Sequence, residues 1–332
     1  MTMSFFLGRR VRCVAAAFLA LMSSAGIAQG PNHLSDAEPA PPSRWADDAA
    51  RVDEQIRLRV LSSDDPRSHW IAGQFDTTDV AAKVRNFAAA RVAAPQENLY
   101  LAALAMACLQ PVQPTLPECD AVDRLADWAT RDADNGLPTM FLAARASKRG
   151  DNDGAIAYLE LASAKQRFDE YASRGGLEFW DYVTAFPIDA DRAAKATLAL
   201  GYGAAQAEPA MALLPSSCSA GAGLPETRRV ACGKAGAAML ERSTTGMARI
   251  VGAGIAERNS ADERSTETVR ANRASLQTLL ARCGDDERTK IAGLESADAS
   301  MRARAIEALD RIVRDKARLG QVAECERRLP SK

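Results

Sequence analysis

The clearest hydrophobic pattern in the chain is in residues 137–163, where apolar and small side chains recur at helical spacing. A polar turn at 149–154 divides the stretch into two short amphipathic helices. Gly150 can adopt the left-handed conformation that ends a helix, and Asp151 or Asp153 can cap the next one. The predicted inward faces are Leu142, Ala143 and Ala146 on the first helix, and Ala155, Tyr158, Leu159 and Ala162 on the second.

Similar patterns predict helices along most of the remaining chain. No run of alternating β-branched residues bounded by turns is present, so the expected fold class is all-α. Gly175-Gly176 should break or bend the helix that contains it. The other predicted helices are 45–61, a short one from Pro66 that holds Trp70 and Ile71, 80–93, 98–109, 120–131, 168–186, 189–206, 226–242, 245–259, 263–283, 286–294 and 301–319.

The 137–163 stretch resembles one tetratricopeptide repeat. The residues that carry the resemblance are Leu142-Ala143, Gly150-Asp151, Ala155, Leu159 and Ala162. Thr139 stands where the family has a large aromatic residue. Ala121, Leu125 and Trp128 lie 34 residues before Ala155, Leu159 and Ala162, which suggests an earlier repeat. The resemblance implies an array of helix hairpins that binds other proteins and carries no catalytic residues.

Composition and the positions of proline and glycine residues suggest five segments. Residues 1–28 are interpreted as a signal peptide, 29–43 as a disordered proline-rich linker, and 44–207 as the tetratricopeptide-like hairpin array. Residues 208–225 form a disulfide-pinned loop in this interpretation, and 226–329 form a C-terminal helical bundle. The net charge of −1 does not favour nucleic acid or an anionic membrane surface as a partner.

The N-terminus predicts export. Arg9, Arg10 and Arg12 precede an apolar run at 14–21 that is too short to span a bilayer, and Ala28 ends a small-residue cleavage site. We therefore expect a periplasmic or secreted protein with no membrane insertion after the signal peptide is removed.

The cysteine count agrees with export. Cys13 would leave with the signal peptide, so six of the seven cysteines remain, an even number that predicts three disulfides. Six cysteines allow 15 pairings. We favour the nearest neighbours, which are Cys108–Cys119, Cys218–Cys232 and Cys283–Cys325. Because the sequence has no C-x-x-C pair and only two histidines, we predict no metal site.

Candidate catalytic residues each have a simpler interpretation. His69 near Asp64 and Asp65 could be an oriented base, but a histidine beside a core tryptophan is usually a packing or surface residue. Glu295-Ser296 resembles the glutamate-serine pair of lytic transglycosylases, but the glycine- and aromatic-rich motifs that should follow are missing. The aromatic run at 179–182 could line a groove or supply the core. Neither Gly201-Tyr202-Gly203 nor Gly252-Ala253-Gly254 follows a strand, so these glycines predict close helix contacts and no cofactor loop.

These observations predict a non-catalytic helical-repeat scaffold of the bacterial envelope that binds a protein or peptide partner. They assign no catalytic, cofactor or metal residues. The alternative is an inhibitor or immunity-type protein that blocks an exported enzyme, and the third possibility is an envelope hydrolase similar to lytic transglycosylases.

Overall fold

The computed structural model describes residues 46–75, 79–110, 116–120, 123–204, 209–218 and 224–329. The predicted signal peptide at 1–28 and the linker at 29–43 lie outside the described residues. The expected all-α class is confirmed: the described residues form helices and contain no strand. Two isolated parallel bridges, Asn135 with Arg167 and Phe168 with Ser243, join loops between helices.

The first part of the chain forms short helices. They are α1 (Ala46–Leu61), α2 (Pro66–Phe75), α3 (Val80–Ala93), α4 (Asn98–Ala107), α5 (Pro117–Asp120), α6 (Arg124–Arg131), α7 (Leu137–Lys148), α8 (Asn152–Ser163), α9 (Ala172–Thr184) and α10 (Arg192–Ala204). A 3-10 turn (Pro209–Ala212) and α11 (Leu213–Ser217) follow. The last helices are α12 (Glu226–Arg242), α13 (Gly246–Arg258), α14 (Glu263–Leu294), α15 (Ala299–Leu319) and α16 (Gln321–Arg328).

Local capping chemistry fixes several of these boundaries. The Asp79 carboxylate accepts from the backbone N–H of Ala82 at 2.9 Å and begins α3. Asp151 accepts from the Gly154 N–H at 2.9 Å and begins α8, and Gly150 ends α7 with φ of 77°. The α7–α8 turn therefore has the structure that its sequence predicts.

The structure differs from the predicted helices in three main places. The helix predicted over 168–186 begins only at Ala172, because Tyr171 has a left-handed backbone conformation, and it continues through Gly175 and Gly176 without a break. The two glycines cost helix propensity of about 1 kcal/mol each, but buried side chains on the same helix, Phe179, Trp180 and Val183, hold it in place.

The other two differences concern helix continuity. Within the stretch predicted as one helix over 120–131, α6 begins only at Arg124, because Asp123 caps it through the Ala126 N–H at 3.2 Å, and Asp120 ends the separate short helix α5. The two helices predicted over 263–283 and 286–294 form a single helix of 32 residues, α14. Asp286 does not start a new helix there; its carboxylate pairs with Lys290 one turn later.

Buried side chains form two clusters. Each cluster combines residues from before and after 208–225, the segment predicted to separate the hairpin array from the C-terminal bundle. One cluster joins Trp70 and Phe179 to Leu309 of α15. The other joins Trp128 and Phe141 to Met239 and Ile255. Every residue of α4 from Leu99 to Ala107 is buried, since the helix lies between the clusters. Much of the predicted loop at 208–225 is itself helical, and Leu214 within it is buried.

Glycines permit the close crossing of α12 and α13. A Cβ atom added to Gly252 would lie 2.6 Å from the backbone nitrogen of Leu240 and 2.9 Å from the carbonyl oxygen of Gly236. A Cβ atom at Gly254 would meet only the Arg258 guanidinium, at 3.9 Å. Of the predicted close-contact glycines on α13, Gly252 therefore has that role and Gly254 does not.

Replacing Gly252 with alanine should lower the free energy of unfolding by about 2 kcal/mol, because the two helix backbones must separate to admit the methyl group. Gly254→Ala is the matched control on the same helix. It should leave stability unchanged or raise it by up to about 1 kcal/mol through helix propensity. Urea unfolding followed by circular dichroism measures both. Equal effects of the two substitutions would contradict the close crossing.

Candidate functional site

The six cysteines described by the structure are joined in three disulfides between nearest neighbours. These are Cys108–Cys119, Cys218–Cys232 and Cys283–Cys325, with Cα–Cα distances of 5.5, 5.8 and 5.9 Å. The buried carboxylate of Glu324 lies near the third pair, within 4.8 Å of both sulfur atoms. These sulfur atoms are bonded to each other, whereas metals bind cysteine as the thiolate.

The residues considered for catalysis occupy separate places. Half-buried His69 lies on α2, and the Asp65 carboxylate accepts from the Ser68 N–H at 3.0 Å, so Asp65 serves as a helix cap. Glu295 is exposed at the end of α14, and the Ser296 hydroxyl accepts from the Asp298 N–H at 3.2 Å. These groups lie in helix termini, and the structure does not bring them together around a cleft.

The aromatic run at 179–182 belongs mainly to the core. Phe179 and Trp180 are buried, and the Trp180 indole N–H donates to the Asp310 carboxylate at 2.7 Å. The neighbouring Asp181 pairs with Arg314 at 2.7 Å. This stretch therefore fastens α9 to α15.

Ionisable side chains do converge where the loops before α7, α9 and α13 meet. We call this cluster the junction and define it as Asp132, Asn135, Arg167, Asp169 and Tyr171. The Asp132 carboxylate accepts from Asn135 at 2.8 Å and from the Tyr171 hydroxyl at 2.7 Å, and it pairs with Arg167. The sequence interpretation missed this cluster, whose members are separated by up to 39 residues.

Asn135 is the centre of the junction and is fully buried. Its amide nitrogen donates to the Asp132 carboxylate and to the Asp169 carbonyl, both at 2.8 Å. Its amide oxygen accepts from the N–H groups of Asp169 at 3.0 Å and Leu137 at 3.1 Å. One side chain thus uses all four of its hydrogen-bonding positions to hold two loops together.

Tyr171 completes the junction. It is the only non-glycine residue with positive φ in the described part of the chain. Burial, together with the hydrogen bond to Asp132, raises the pKa of Tyr171 to about 12, so the phenol stays protonated and donates at neutral pH. The Asp132 carboxylate is thereby occupied on both oxygens, by Arg167 on one and by Asn135 and Tyr171 on the other. Because its oxygens already bind these partners, Asp132 has a structural role in the junction and is poorly placed to act on a substrate.

One concave feature among the described residues is a groove between α12, α13 and α14, with a volume of about 500 Å³. That volume lies in the range of ligand-binding clefts in proteins. Its apolar walls are Ala237, Leu240, Val269 and Leu276. A second crevice, beside Trp70 and Tyr171, is about 10 Å³ and holds at most a single water molecule.

The polar lining of the α12–α14 groove contains one cation. Arg249 donates from Nε to the Ser243 carbonyl at 2.9 Å, which anchors it at the end of α12. Burial lowers the pKa of Arg249, and the charges of Glu326 and Glu241 oppose part of that shift, but a guanidinium remains protonated at neutral pH. No carboxylate of the described residues lies within ion-pair distance of it. The other polar lining residues are Glu241, Ser265, Thr268 and Asn272.

The helix α14 gives the groove an open side. Only Leu276, Cys283 and Leu294 of its 32 residues are buried. One sequence pattern indicates the groove-lining face of this helix: Ser265, Val269, Asn272 and Leu276 recur on one side of α14.

Among the helices that the structure describes, none combines the length and the apolar character needed to span a bilayer.

No protein-family model, no curated protein and no solved structure matches this chain.

Proposed function

We propose that this protein is an exported, non-catalytic helical scaffold that binds a protein or peptide partner in the α12–α14 groove. The observation that carries the proposal is the groove itself, a cleft of about 500 Å³ with aliphatic walls and a cation that has no carboxylate partner among the described residues. A few polar groups converging on an apolar cleft are typical of binding sites. In this proposal the hairpin α7–α8 and its neighbours act as a tetratricopeptide-like support.

Disulfides brace two of the three helices that form the groove. Cys232 ties α12 to Cys218 at the end of α11, and Cys283 ties α14 to Cys325 in α16. Salt bridges add to the second tie, since Glu287 of α14 contacts Lys316 at 2.7 Å and Arg328 at 2.8 Å. A braced groove loses little conformational entropy when a partner binds. Three disulfides also favour an oxidising compartment, which supports the proposed periplasmic or secreted location.

A matched pair of threonines on α14 tests the proposal. Thr268 and Thr278 are both exposed, and each hydroxyl donates to the carbonyl four residues earlier, at 2.9 and 3.0 Å. Only Thr268 lines the groove. Thr268→Trp should fill the cleft, and Thr278→Trp should leave it open.

The experiment is capture of partners from envelope extract by the wild-type protein and by each variant. Wild type and Thr278→Trp should retain the same partner, and Thr268→Trp should lose at least nine-tenths of it. Retention of the partner by Thr268→Trp would contradict the proposed site. Capture of a single hydrolase whose activity is blocked would instead favour the inhibitor function.

A further inference from the structure

We propose that the partner segment carries an acidic side chain between aliphatic ones, and that the acidic group pairs with Arg249 in the α12–α14 groove. This inference rests on the proposed function, because it names the chemistry of the partner that the groove binds. It is carried by three features of the groove: its cation, its walls and its length.

The cation favours a partner of opposite charge. Of the five N–H donors of the Arg249 guanidinium, the Nε–H is used by the Ser243 carbonyl. In the part of the chain that the structure describes, no carboxylate forms an ion pair with its remaining donors. Covering this half-buried guanidinium with a purely apolar ligand would leave those donors without acceptors, at a cost in binding free energy. A carboxylate satisfies two of them at once.

Neighbouring charges favour a carboxylate over a phosphate. Glu241 lines the same groove and pairs with Arg242 at 3.7 Å, and both Glu241 and Glu326 lie close enough for their charges to act on Arg249. A phosphate group carries up to two negative charges at neutral pH, so both glutamates would repel it more strongly than they repel a carboxylate. A single carboxylate has one charge for the guanidinium to neutralise.

The length of the groove favours a polypeptide segment over a compact small molecule. Along α14, the lining runs from Ser265 to Leu276, a rise of about 16 Å. An extended chain of about five residues covers that distance. The Asn272 carboxamide has no hydrogen-bond partner within the described structure, so it is free to bind a peptide backbone. Leu240, Val269 and Leu276 offer contacts for aliphatic side chains on either side of the acid.

Pools of synthetic heptapeptides test this inference. Each pool is capped at both ends, has alanine, leucine, valine or isoleucine at the flanking positions, and differs only in the central residue, which is Glu, Gln or Lys. Immobilised wild-type protein should retain the Glu pool at least tenfold better than the Gln pool. Arg249→Glu should reverse the preference and retain the Lys pool better than the Glu pool.

Two further variants distinguish the effect of losing the Arg249 charge from an effect of misfolding. Arg249→Gln keeps an N–H donor for the Ser243 carbonyl, so it should fold normally, and it should retain the Glu and Gln pools equally. Arg282→Glu is the matched control, since Arg282 is exposed on α14 outside the groove lining. It should keep the wild-type preference for the Glu pool. Far-ultraviolet circular dichroism and thermal unfolding verify that each variant is folded.

Equal retention of the Glu and Gln pools by the wild-type protein would overturn the inference. Binding of decanoate in an Arg249-dependent manner, with neither pool retained, would also overturn it and identify a small-molecule site. If Thr268→Trp abolishes partner capture while the pools are retained equally, the proposed function stands and only the inference of an acidic partner segment is contradicted. If Thr268→Trp also retains its partner, both fail.

Discussion

Replacing Asn135 with alanine should lower the free energy of unfolding by about 4 kcal/mol, because four hydrogen-bonding groups around a fully buried side chain lose their partner at once. The Asp132 carboxylate loses one donor, and the backbone of Asp169 loses both a donor and an acceptor. The N–H of Leu137 at the start of α7 also loses its acceptor. Asn135 itself is fully buried, and its bonds to the Asp132 carboxylate and the Leu137 N–H are buried as well. Chemical denaturation in urea measures the change.

Asn272→Ala is the matched control for the junction. It removes the same side chain from an exposed position that has no hydrogen-bond partner within the described structure, so stability should change by no more than about 0.5 kcal/mol. An effect of Asn135→Ala as small as that of the control would show that the junction does not hold the loops together.

Removing the Cys283–Cys325 disulfide, by alanine at both positions, should lower the free energy of unfolding by about 4 kcal/mol. The bond closes a loop with a sequence separation of 42 residues, the longest of the three. Without it, the unfolded chain gains conformational entropy, and α16 is held to α14 only through side-chain contacts such as Arg328 with Glu287. Thermal and urea unfolding under non-reducing conditions measure the loss.

The Cys108–Cys119 bond provides the comparison. Its sequence separation is 11 residues, so removing it by the same double substitution should cost about 3 kcal/mol, less than the longer loop. The reverse order, or a change below about 1 kcal/mol for Cys283 and Cys325, would contradict the role assigned to the longer bond.

Features determined by neighbouring residues could be predicted from the sequence. The all-α class follows from helical periodicity, and the α7–α8 turn follows from Gly150 and Asp151, whose conformation and capping bond are local. The same local rules gave wrong predictions where contacts with distant residues determine whether a helix continues. Gly175 and Gly176 do not interrupt α9, because Phe179 and Trp180 are held by residues far along the chain.

The junction and the groove show the same limit. Asn135 and Asp169 are 34 residues apart, and Phe168 and Thr244 are 76 apart, so no local pattern indicates that their loops meet. The α14 side of the groove, Ser265 to Leu276, lies within the helix predicted over 263–283, but no local pattern indicates that this helix packs beside Leu240 of α12 and Arg249 of α13. The two buried clusters likewise combine residues from before and after the segment 208–225, which the sequence predicted as a disulfide-pinned loop between two domains.

The central claim is that a partner binds in the α12–α14 groove, and hydrogen exchange with and without the captured partner tests it most directly. The groove account predicts slower amide exchange in segments 237–241 and 265–276 when the partner is bound, with α7 and α8 unchanged. Protection confined to α7 and α8, with no change in those two segments, would contradict it.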